Sequence, residues 1–201
     1  MVRSSLVALA LLVMSSCTSL VFPPRHCAQP VNAFVLRDNR HLGLLLPDPP
    51  EAPVAFFEYG YGDHAWFALA QQQWYRVFPT ILWPTQATLC RRVWPFDSVD
   101  ELQRRVAMCG CEVDLLVVER ARVVALRERL DAAFVGRESV RRPEFSMEFV
   151  PYDGSYWMFE TCADVAADWC RELGCEVSYA LIRGSLRVKA CTALPVPTCG
   201  G

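Results

Sequence analysis

The chain has 201 residues, 53% of them hydrophobic, enough to bury one core and to make a single domain the expectation. Twenty Lys and Arg stand against 22 Asp and Glu, a net charge of -2 with the basic residues scattered, which excludes a nucleic-acid binder held by phosphate contacts. Ten cysteines without a single CxxC exclude a zinc ribbon or finger, so neither a metal nor another cofactor is expected.

The chain opens with Arg3 and the apolar run LVALALLVM, too short to span a bilayer as a stable helix and shaped like a signal peptide. MSSC follows, and small residues directly before Cys17 resemble the lipobox of bacterial lipoproteins, with Met14 where leucine is usual. That resemblance implies cleavage before Cys17, lipidation of its thiol and attachment to a bacterial envelope membrane. Thr18 after the cysteine points to the outer membrane, facing the periplasm. Residues 1–17 are then a signal peptide, 18–30 a tether stiffened by Pro23 and Pro24, and 31–201 one domain. Nine cysteines remain after Cys17, an odd number, and in an oxidising compartment disulfides are expected among some of them.

VNAFVLRDNRHLGLLLP reads as extended chain, a turn at Asp38-Asn39, and a strand from His41 to Leu46. VAFFEYGYG has strand composition, while DHAWFAL fits either a short helix or an irregular segment. FPTILWPTQATLCRRVWP carries three prolines and is expected to be mostly loop with short strands. A helix starts at Asp97 or Ser98, with Glu101 completing a capping box, and stops at Gly110. EVDLLVVE is a strand, and Val123, Leu126, Leu130, Ala133 and Phe134 mark a helix ending at Gly136. FSMEFVPYDGSYWMFE reads as an aromatic loop, and EVSYALI as a short strand. Strands and helices do not alternate strictly, which predicts an α+β fold.

The last helix, in TCADVAADWCRELG, has Thr161 as N-cap with Asp164 three residues on. Cys162 is its first residue, where unpaired backbone N–H groups and the helix dipole favour a thiolate. Val165, Ala166, Trp169, Cys170 and Leu173 share its face, which turns Cys162 toward the sheet. A nucleophile needs a base. Of three histidines, His26 lies in the tether and His64 among glycine-flanked aromatics, which leaves His41. Glu58, on the strand after that of His41, is the first candidate to orient the imidazole, and Asp63 the second. Tyr59, Tyr61, Trp66, Tyr156 and Trp157 are candidates for a groove.

HLGLLLP, FFEYGYGDHAWF, LWPT and YWMFETCADVAADWCRELG, in that order, resemble an uncharacterised family of exported bacterial proteins. Its members carry a His-Thr-Asp-like strand, then Gly-Trp-Gly-Asp, then a Thr-Cys-Asn helix. The order of His before Cys is similar to the circularly permuted, NlpC-like branch of papain-like thiol hydrolases. The resemblance implies a papain-like α+β fold with the Cys-bearing helix packed on an antiparallel sheet. It also implies acyl transfer by Cys162 and His41 on amide or ester bonds of peptidoglycan peptides or lipid acyl chains. Leu42-Gly43 and Ala163 replace the family's polar residues. That departure supports the alternative, a non-catalytic envelope lipoprotein that binds or scaffolds.

Overall fold

The computed structural model describes residues 18–38, 41–95 and 99–189. The expected lipidation site Cys17, the cap at Asp97 or Ser98, Asn39, and Cys191 and Cys199 lie outside these residues. Seven strands form an antiparallel sheet in the order β6-β2-β3-β4-β5-β8-β7. They are β2 (Pro30–Arg37), β3 (Leu42–Asp48), β4 (Ala55–Asp63), β5 (Thr85–Trp94), β6 (Glu112–Glu119), β7 (Val140–Arg142) and β8 (Met147–Tyr156). Helices α3 (Arg120–Ala132) and α4 (Cys162–Glu172) cover one face. α2 (Val99–Met108) covers part of the other. The α+β expectation holds in this form.

Strand parity assigns the faces. Val35, Leu44, Leu46, Tyr59 and Tyr61 pack under α3 and α4 with Val123, Leu126, Leu130, Ala166, Trp169 and Cys170. Phe34, Leu36, Leu45, Phe56 and Trp94 point the opposite way and meet Leu102 and Val106 of α2. β3 is therefore buried on both sides, which is why HLGLLLP shows no alternation.

Three expectations fail. Thr18–Phe22 is not tether but β1, the middle strand of a second sheet, parallel to β10 (Ser185–Val188) and antiparallel to β9 (Glu176–Val177). Ser19 and Val21 are buried there, because alternate residues of this short strand face the main core. The aromatic loop at 145–160 is largely β8, which spans ten residues beside β5 despite Pro151 and Gly154. The proline-rich segment resolves into a short helix α1 (Val77–Leu82) followed by the ten-residue strand β5. The undecided stretch after Asp63 is a π-type turn over His64–Ala68.

The seven described cysteines, Cys27, Cys90, Cys109, Cys111, Cys162, Cys170 and Cys175, are all free thiols. The expected disulfides are therefore not found among the described residues.

Candidate active site

Cys162 occupies the first turn of α4, as the capping pattern predicts, and the cap is more elaborate than the sequence suggests. The Thr161 backbone N–H donates to Asp164 Oδ2 at 3.0 Å and its hydroxyl donates to the same oxygen at 2.8 Å. Asp164 Oδ1 in turn accepts from Arg183 Nη1 at 2.7 Å, and Arg183 Nε donates to Ser19 Oγ at 2.8 Å. Arg183 is buried, so this charge-assisted chain is shielded from solvent and ties the start of α4 to the small sheet. Nothing in the sequence around Cys162 signals Arg183 or Ser19, which lie at opposite ends of the chain.

α4 packs on β3 and β4, the strands that carry His41 at their edge and Glu58. Its buried side chains are Ala163, Ala166, Ala167, Trp169 and Cys170, with Leu173 following. Cys162 is half-buried at the edge of this stripe. Burial pushes its thiol above the ordinary value, and the backbone N–H groups of Leu42, Ala163 and Cys162 itself pull against that push. The expected lowering by the helix terminus is thus corrected: these groups favour the thiolate, but loss of water outweighs them.

Cys162 and His41 line one cleft of about 450 Å³, together with Leu42, Tyr156, Trp157 and Arg183. No hydrogen bond joins them, and neither His41 ring nitrogen has a partner among the described residues. The reason is strand parity. The Leu42 side chain packs in the core under α4, while the imidazole of the preceding residue goes to the other face and lies over Gly60. A Cβ at position 60 would stand 2.1 Å from His41 Nε2 and 2.8 Å from Cys90 Sγ, so only glycine admits the ring. Asp38 fixes the backbone here: its N–H donates to the His41 carbonyl at 3.0 Å, and its Oδ1 accepts from the His41 N–H at 2.6 Å. The ring also borders a second cavity of about 170 Å³ with Phe67, Cys90 and Phe149. Burial lowers its pKa, opposed by the negative charges of Glu58 and Asp38. Burial thus favours the neutral imidazole.

Neither candidate orienting group touches the imidazole. Glu58 is on the same sheet face, but its Oε2 is taken by Arg92 Nε at 2.9 Å and Trp94 Nε1 at 2.7 Å. Its Oε1 has no partner among the described residues and leans toward Gly43 rather than the ring. Glu58 is thus the buried end of an ion pair with Arg92. Asp63 caps the π-type turn, accepting from the Trp66 N–H at 2.6 Å and from the Thr85 hydroxyl. Of the aromatic candidates, Tyr156 and Trp157 border the cleft, whereas Tyr59 is core and donates to Asp131 Oδ1 at 2.7 Å. Among the described residues no group of His, Cys, Asp and Glu converges as metal ligands would.

Compared with known proteins, the chain matches no family profile, no curated protein and no solved structure.

Proposed function

We propose that the chain is a thiol acyl-transfer enzyme of the bacterial envelope, a hydrolase or acyltransferase of amide or ester bonds, on a papain-like, circularly permuted NlpC-like fold. The observation that supports this best is the setting of Cys162: a helix-first-turn thiol at a cleft also lined by His41, with the backbone N–H groups of Leu42, Ala163 and Cys162 itself favouring its thiolate. The same donors suit the oxyanion that forms when a thiolate attacks a carbonyl. In this reading His41 takes the thiol proton through water, since neither ring nitrogen has a partner among the described residues and the ring lies on the other sheet face. The sulfur adds to the carbonyl carbon. The C–N or C–O bond breaks, the leaving amine or alcohol takes the proton from the imidazolium, and water or an acceptor alcohol or amine then cleaves the thioester. Export, lipidation at Cys17 and an outer-membrane location complete the proposal.

One observation favours the rival, a binding or scaffolding lipoprotein: the missing hydrogen bond between His41 and Cys162. Peptide-resolved labelling with a thiol-directed acyl probe decides between them. The enzyme reading expects Cys162 to react ahead of the buried Cys90 and Cys170, and His41→Ala to slow it about a hundredfold, the usual size of a lost general base. Labelling of Cys162 that is indifferent to His41→Ala would establish the scaffold.

A further inference from the structure

The segment before β5 leaves an unusual amount of apolar surface in water. Trp74 is 77% exposed, Phe78 60% and Trp83 63%, with Tyr75 and Leu82 beside them in sequence and also exposed. Arg76 is the one charged residue between Gln71 and Cys90. Buried aromatic residues are ordinary, but a cluster of exposed ones marks an interaction surface. Mixed Trp and Tyr with few charges is the composition of a bilayer interface, where an aromatic ring meets acyl chain and headgroup together.

This surface borders the Cys162 cleft. Ile81 of α1 lines the cleft, and its carbonyl accepts from the Met158 N–H at 3.0 Å. Ile182 and Ser185 line it too, and Leu181 next to them is exposed. Thr18, where the described residues start, pairs in the β1–β10 register with Ser185, which lines the cleft. The apolar run from Leu6 to Met14 precedes Thr18. The described chain thus starts beside the cleft that the exposed aromatic surface borders.

We propose that the rim formed by Trp74, Tyr75, Phe78, Leu82, Trp83 and Leu181 docks on the phospholipid leaflet, and that the cleft takes an ester-linked acyl chain from that leaflet. The docking stands by itself; the choice of a lipid ester rests on the thiol acyl-transfer reading. With Arg76 as the single charge of the segment, insertion of apolar side chains holds the face down, and binding is insensitive to salt.

The test uses the full-length protein in vesicles of phosphatidylethanolamine and phosphatidylglycerol with brominated acyl chains. Bromine quenches tryptophan on contact, so the wild type is compared with Trp74→Phe/Trp83→Phe. Neither residue lines the cleft. The variant is expected to lose roughly half of the quenching, because Trp94 and Trp169 are buried in the fold and depth of insertion is about 5–10 Å. Equal quenching in both proteins overturns the docking, as does cross-linking of two copies through this face, which would name a second chain as its occupant. A soluble thiol probe and an ester in the vesicle separate the remaining outcomes. Docking without probe labelling of Cys162 defeats the enzyme reading and spares the docking. Docking and labelling without turnover of the vesicle ester defeat the lipid-ester substrate. The proposal expects turnover to fall roughly tenfold in the variant, as interfacial residence is lost, with labelling unchanged.

Discussion

The two faces of the main sheet meet the candidate dyad differently. On the helix-covered face the backbone N–H groups of Leu42, Ala163 and Cys162 favour the Cys162 thiolate, and a chain from Asp164 through Arg183 to Ser19 fixes the helix start. On the other face His41 is held by fit alone, its ring laid over Gly60 and beside Cys90 with both nitrogens unbonded among the described residues. The thiol side is organised by hydrogen bonds and the imidazole side by packing.

The largest effect that would break this contrast is expected at Glu58. Glu58→Ala removes the partner of both Arg92 and the Trp94 indole, and should cost about 3 kcal/mol in chemical denaturation, less than a fully buried pair because Arg92 is partly exposed. If Glu58 oriented His41 instead, the variant would lose activity at little cost in stability. Gly60→Ala comes next, at about 2 kcal/mol, since the new methyl must displace the imidazole or the Cys90 sulfur. An unchanged denaturation midpoint would show that the ring does not lie there.

The thiol side is sharpened by pH. Because burial raises the Cys162 pKa, alkylation should climb about tenfold per pH unit through neutrality and past the ordinary thiol range, with no plateau near pH 7. A plateau there would reveal a thiolate–imidazolium pair. The smallest effect concerns His41. Its folded pKa lies below the unfolded value of about 6.5, so the unfolded chain binds its proton first on acidification. Stability is then fully present above that value and falls as pH drops toward the folded pKa, by at most about 1.4 kcal/mol per unit for this one proton. His41→Gln should flatten that part of the profile, and equal slopes would place the ring in solvent.

Helices α3 and α4 were legible in this chain. Thr161 with Asp164 and the apolar spacing of Val123, Leu126 and Leu130 encode them locally. β8 was hidden because Pro151 and Gly154 break its alternation, and β1 because five residues between an apolar run and two prolines resemble a linker. The shared cleft of Cys162 and His41 could be anticipated from residue types and order. Their opposite faces could not, because Leu42, Leu44, Leu45 and Leu46 are apolar on both sides and leave no period to say which side α4 covers. The partners of Glu58 were beyond reach for another reason: Arg92 and Trp94 lie on a third strand whose register only the fold supplies.

The bond from Arg183 to Ser19 spans 164 residues and has a temporal consequence. β1 leads the described chain, yet its partners β9 and β10 come at the far end, so the small sheet cannot close until nearly all of the polypeptide has been delivered. A chain emerging amino-terminus first presents β1 early, as an unpaired strand, and completes the cap of the Cys162 helix last. Assembly of the nucleophile's setting is thereby postponed to the final step of maturation, when the rest of the sheet already stands.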